Sequence, residues 1–189
     1  MIVSLGDNQN KMKIYFPLII LSILLSSACT SGGNESSSNT IKSHPNPHYH
    51  FVDIDTATLD YLETDYAPVY SEIYHRDGTR LFSLTTTLSL RNTSLTDSAY
   101  ILKISYYDSH GNILKQFLSS SLLLTPLESV EFVVEETDET GGPGANFIIN
   151  WGATEYSSQL LMQAVMIGTA GQQGISFVTD AKPIESITK

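Results

Sequence analysis

Phe82-Ser83-Leu84-Thr85-Thr86-Thr87-Leu88-Ser89-Leu90 decides the fold. Phe82, Leu84, Thr86, Leu88 and Leu90 fall on one side of an extended chain, and Ser83, Thr85, Thr87 and Ser89 on the other. Alternation with a period of two marks a strand with one buried face. Downstream, Arg91–Asp97 is rich in turn formers. Tyr100–Tyr107 is β-branched and aromatic and predicts the next strand. Asp108-Ser109-His110-Gly111-Asn112 predicts a tight turn, with Gly111 free to take a positive φ. Ile113–Leu118 then returns as the partner strand.

The same reading continues to the C-terminus. Thr125-Pro126 breaks the apolar run Leu122–Leu124, after which Val130, Phe132 and Val134 alternate with Glu131 and Val133. After the loop Glu135–Ala145, Phe147, Ile149 and Trp151 form one face of a strand. Leu160–Ile167 is continuously apolar. A buried strand ending at Gly168 is the first reading, with Gly174–Val178 returning beside it, and a short helix over Gln159–Met166 is the alternative. Thr179–Lys189 reads as a frayed tail, its flexible part being 180–189. The sum is an all-β chain, an antiparallel immunoglobulin-like β-sandwich of about seven to eight strands. One submotif resembles immunoglobulin-like domains of bacterial secreted proteins: Arg91-Asn92-Thr93-Ser94, a second strand, Asp108-x-x-Gly111, then Leu124-x-Pro126 before Val130-x-Phe132-x-Val134. The hallmark cysteine pair is absent, so the core rests on packing.

Cys29 is the only cysteine. It follows Lys11 and Lys13, an apolar stretch Ile14–Leu25, and the small residues Ser26, Ser27 and Ala28. About twelve apolar residues are too few to span a bilayer as a helix, which needs ~20, but they suit a cleavable signal. The arrangement reads as a lipoprotein signal over 1–28 with Cys29 lipidated, palmitate being among its chains. Ser26 stands where the cleavage box prefers Leu, and a lipid-free secretory signal is the rival reading. Met12 is an alternative start. A lone thiol forms no internal disulfide and is a liability in an oxidising compartment, which lipidation would resolve. Thr30 rather than Asp follows the cysteine, so export to the outer membrane is expected in a cell with two membranes. Residues 29–50 read as a disordered tether of Ser, Gly, Pro and His, and 51–179 as the β-sandwich domain. About 130 residues suffice for one core.

The formal charge is −10. An acidic domain does not seek phosphate backbones, so nucleic acid is excluded as an expected partner.

Four places can carry chemistry. Glu135, Glu136, Asp138 and Glu139 lie in a loop that continues through Gly141, Gly142 and Gly144 to Asn146. Hard cations such as Ca2+ take several oxygens from such loops, but the spacing is not that of an EF-hand, and a solvated acidic loop is the plain alternative. The glycines make no phosphate cradle, since no Lys-Ser/Thr follows, and would allow positive φ or close backbone contact. Tyr70, Glu72 and Tyr74 should share one strand face as a binding surface, or be half-buried edge residues. His44, His48 and His50 could hold a transition metal only if a fold fixed them. Gly168–Gly174 reads as a turn. No Gly-x-Ser-x-Gly elbow or His-Glu-x-x-His is present. His75 and His110 are the domain's histidines beyond the tether, and a pair such as Glu135 with His75 is the kind of acid–base arrangement an enzyme reading would need.

Pro68–His75, Leu88–Thr93, Tyr106-Tyr107-Asp108, Phe132–Glu136, Gly144–Phe147, Ala164–Gly168 and Gly174–Phe177 together resemble domain-of-unknown-function family three-one-two-four. The resemblance runs from about Ala67 to Val178. It implies a small bacterial envelope protein or lipoprotein of unassigned role, with no catalytic residues to carry over. The expected function is therefore a lipid-anchored, non-catalytic binding or structural module of the cell envelope. It would meet the membrane through its lipid and bind an envelope protein or glycan, with no resident cofactor. A Ca2+-binding module and an enzyme with an unrecognised site are the alternatives.

Overall fold

The computed structural model describes residues 49–154, 160–169 and 173–189. By compactness the chain divides into Met1–Ser43 and His44–Lys189, and everything described belongs to the second unit. The signal, Cys29, His44 and His48, and 170–172 of the Gly168–Gly174 turn lie outside the described residues.

Thirteen strands are described, all paired antiparallel, with single 3-10 turns at Thr56–Thr58 and Gly142–Gly144. One sheet contains β1 (His50–Val52), β8 (Ser121–Leu124), β6 (Ala99–Tyr107), β10 (Asn146–Ala153), β2 (Tyr61–Pro68) and β13 (Lys182–Thr188) in that order, with β7 (Ile113–Gln116) beside β6. The second runs β12 (Ile175–Asp180), β11 (Leu160–Gly168), β5 (Thr85–Asn92), β9 (Ser129–Val134). A hairpin of β3 (Glu72–Tyr74) and β4 (Leu81–Ser83) stands apart. The antiparallel β-sandwich is thus as expected, but with more strands than seven to eight. No helix among the described residues is long and apolar enough to cross a membrane.

Inward residues of both sheets share one core. Thr86, Leu88 and Leu90 of β5 are buried as their alternation predicts, as are Val130, Phe132 and Val134 of β9 and Phe147, Ile149 and Trp151 of β10. A chain of ring contacts joins the sheets: Tyr49 to Phe132, Phe132 to Phe117, Phe117 to Phe147, Phe147 to Tyr106, each with centroids 5.1–5.7 Å apart. Contacts of this kind contribute ~0.5–1.5 kcal/mol beyond the area they bury.

Three expectations are corrected and one choice between alternatives is decided. The Phe82–Leu90 run is two strands, because the Leu84 amide donates to Ser71 O at 2.8 Å rather than into a ladder. Leu160–Gly168, by contrast, is the buried strand of the first reading and not the alternative helix, paired on both sides. His50 belongs to β1, where it pairs with Leu123, so the tether ends earlier than residue 50. Residues 182–188 are not a free tail but the strand β13, paired with β2 from Tyr61 to Tyr66. Every residue of β13 is exposed, so no apolar alternation could announce it, and backbone hydrogen bonding is what holds it.

The Asn92 side chain explains the Arg91–Ser94 motif. Its amide donates to Asp97 O, Leu124 O and Thr125 O at 2.7–3.2 Å, tying the end of β5 to the end of β8. Its Oδ1 accepts from the Ser94 amide.

Candidate functional site

The inward face of β2 reads Tyr61, Glu63, Asp65, Ala67, since alternate residues of a strand share a side. Two acids therefore point into the sandwich. They line a cavity of about 200 Å³ with Tyr61 and with Trp151 of β10. Leu160 and Met162 of β11 form the opposite wall, and Ala181 and Pro183, where the chain crosses from one sheet to the other, complete the lining. Irregularities in pairing flank the cavity. Between Asn150 and Trp151 the β10–β6 register shifts by one residue, and between Pro183 and Glu185 the β13–β2 register shifts at Ile184. Such bulges re-aim side chains and bend the strand.

Asp65 is 4% exposed, and its Oδ2 accepts from Trp151 Nε1 at 2.8 Å. Tyr61 packs edge-on against Trp151 at 5.3 Å and donates its hydroxyl to Glu63 Oε2. Burial pushes the Asp65 carboxyl up to about 6. The Trp151 N–H opposes the rise, while the neighbouring Glu63 carboxyl adds to it. Among the described residues, no lysine, arginine or histidine lines the cavity. A carboxyl buried beside a second carboxyl and without a cation favours keeping its proton, and here that carboxyl is Asp65.

The acidic glycine-rich loop and the Tyr70–His75 segment do meet. Ser71 donates both its amide and its hydroxyl to Gly142 O, each at 3.3 Å. Ser109 Oγ donates to Gly141 O and accepts from the Gly144 amide, fastening the same turn to the β6–β7 hairpin. Gly141 lies against the Tyr106 hydroxyl, so closely that a Cβ there would stand 1.9 Å from Tyr106 Oη. Among the described residues that buried hydroxyl has no hydrogen-bond partner, and burial raises the phenol's pKa. Ser71 offsets a little of this rise from nearby, although its own hydrogen bond goes to Gly142. The glycines thus serve close packing and, at Gly142, a φ of +72°.

The expected binding residues divide accordingly. Asp138 accepts from the amide and hydroxyl of Thr140 within its own turn. Glu135 O accepts from the Asp138 amide, and the Glu135 side chain is exposed. Glu136 is half-buried, and Asn146 opens β10 opposite Pro68 and Tyr107. Glu139 accepts from Ser83 at 3.4 Å, and Glu72 titrates higher than usual through partial burial and then the Glu139 charge. Tyr70 packs on Phe177 at 5.7 Å, outside the strand that holds Glu72, whereas Tyr74 is 60% exposed. Among the described residues, no group of three or more His, Cys, Asp and Glu is placed to hold a metal ion.

His75 and His110 each lie beside a turn aspartate. Thr79 hydrogen bonds hold the Asp77 carboxyl low, with His75 a smaller contributor, and Asn112 does the same for Asp108, with His110 contributing last. Gly111 has a φ of +82°, as its turn required.

A family model described as "Protein of unknown function (DUF3124)" matches residues 62–184, and the chain belongs to that family. This corrects the extent of the resemblance, Ala67 to Val178: the match takes in most of β2 and reaches β13 as far as residue 184. The description assigns no role, so an envelope or lipoprotein role is no part of what the family shows. No curated protein matches the chain. A solved structure, "Crystal Structure of Thermotoga maritima 1070", is 13% identical, with a TM-score of 0.37, covering 64% of this chain and 92% of that one.

Proposed function

We propose that this chain is a lipid-anchored, extracytoplasmic, non-catalytic binding or structural module of the bacterial cell envelope. The observation that carries the reading is the run from Lys11 to Cys29: basic start, short apolar middle, small residues, sole cysteine. Two or three acyl chains at Cys29 would anchor it, each buried CH₂ contributing ~0.8 kcal/mol, in the outer membrane where the cell has two.

The domain offers a surface for a protein or glycan partner. Val133, Thr87, Val165 and Val178 lie in register across all four strands of the second sheet, on its outer face. Val133 and Val178 are about half exposed, and Leu161 and Ile167 are exposed nearby on the same face of β11. A row of valines on a sheet face, interrupted by Thr87 alone, is the kind of surface partners cover. The reading includes no resident cofactor, because Asp138 is engaged in its own turn. Calorimetry with Ca2+ tests that: a binding heat with a raised melting temperature would restore the cation-binding alternative.

Cys29→Ser tests the anchor. The exported protein should move from the membrane to the soluble fraction, and mass spectrometry should find acyl chains on the wild-type cysteine only. Unchanged membrane association with an unmodified thiol would overturn the reading. Envelope pull-downs with wild type and Val178→Glu test the surface, the variant losing the partner that wild type recovers.

A further inference from the structure

The Ala181–Pro183 crossover closes one side of the carboxyl cavity. Ala181 is held by its amide donating to Met162 O at 3.0 Å, and Pro183 has no amide to donate. Ile184 is bulged out of the pairing with β2, and every side chain of β13 is exposed. A segment that buries so little opens locally at low cost. Its two ends are tied more firmly, by Thr179 Oγ1 to Pro68 O at 2.6 Å and by the Lys189 amide to Asp60 O at 2.8 Å.

Beneath this wall the acids have little to neutralise them. From β2 they are faced by Tyr61, from β10 by Trp151, and each of those donates one hydrogen bond. Met162 on β11 and Ala181 and Pro183 on the crossover bring no titratable group. The nearest charged residues in sequence on β13, Lys182 and Glu185, are not in the cavity lining.

We propose that Glu63 and Asp65 form a proton-operated latch on the C-terminal crossover. With the proton held on Asp65 beside Glu63, Ala181–Glu185 stays seated over the cavity. When that proton leaves to solvent, two like charges face each other in a space that screens them poorly. Water must then enter, and it enters where the wall yields, between the Thr179 and Lys189 ties. The protein is closed under mildly acidic conditions and open at this seam under neutral ones.

Amide exchange by NMR on the full chain tests the latch, with rates corrected for the intrinsic effect of pH. Between pH 5 and 7.5, protection of the Ala181 amide should fall at least ten-fold more than that of Ile149 in the core of β10. Trp151 is the only tryptophan, and its indole N–H resonance should titrate over the same range. Asp65→Asn should abolish both changes. Should that variant not fold, Glu63→Gln serves instead: with one carboxyl gone, the loss of Ala181 protection should disappear. Ala181 protection that follows Ile149 at both pH values would overturn the proposal, as would a loss that persists in the variants. Recovery of wild-type protection on adding Ca2+ at pH 7.5 would also overturn it, in favour of a cation site.

Discussion

Replacing Asp65 by Asn should make this protein more stable at neutral pH. A carboxyl whose pKa stands at about 6 in the folded chain and at 3.8 in the unfolded one binds its proton more tightly when folded. That preference stabilises the fold fully below about pH 4. It is lost as the pH rises through about 6 and stays lost above. The difference corresponds to roughly 3 kcal/mol. The substitution would keep the geometry: the carboxamide oxygen can accept from Trp151 Nε1, and the carboxamide nitrogen can donate to Glu63. The variant should therefore match wild type near pH 4 and exceed it by up to about 3 kcal/mol at pH 7.5, roughly 10 °C in melting temperature for a domain of this size. Urea unfolding followed by far-UV circular dichroism from pH 4 to 8 measures both curves. A variant no more stable than wild type at pH 7.5, or one with an unchanged slope between pH 4 and 6, would refute the account of the buried pair.

Other substitutions follow from the same structure. Asn92→Ala removes the Nδ2 donor from Asp97 O and Leu124 O, while Thr125 O keeps the Glu128 amide, and should cost about 3 kcal/mol in urea unfolding, since buried acceptors left short of a partner cost ~1–3 kcal/mol each. Gly141→Ala should cost at least about 2 kcal/mol by driving a methyl into Tyr106 Oη; Tyr106→Phe should recover only part of that loss, since the ring Cζ and Ala145 Cβ would still stand 2.8 and 2.9 Å from the added carbon, and on its own it should be nearly neutral, because the hydroxyl it deletes has no partner among the described residues. Deleting 182–189 should lower the melting temperature by more than 5 °C, where loss of a frayed tail would leave it unchanged.

How much was legible in the sequence depended on whether burial alternated along the chain. Phe147, Ile149 and Trp151 announced their face because one side of β10 is apolar and the other is not. β13 was invisible for the opposite reason: with all its residues exposed, Lys182–Thr188 carries no periodic signal, and its strand character lies in hydrogen bonds to β2. The acid cavity was hidden more deeply. In Tyr61–Pro68 both alternations contain apolar residues, and hydropathy alone favours burying Leu62 and Tyr66 over Glu63 and Asp65. Only the approach of Trp151 from a residue 86 positions away shows that Asp65 has a partner inside. The glycine-rich loop was recognisable as unusual, but its reason is the Tyr106 hydroxyl against Gly141, a contact that spacing cannot encode.

The last strand also bears on how these molecules behave when crowded side by side. Pro183 offers no N–H outward, and the irregular step at Ile184 bends the ribbon away from a flat template, so a neighbouring chain finds nothing regular to extend. Strip that strand away and the eight straight residues of β2 become the new rim, with an open row of amides and carbonyls. The segment Lys182–Thr188 thus serves as a guard against fibre-like stacking between neighbours.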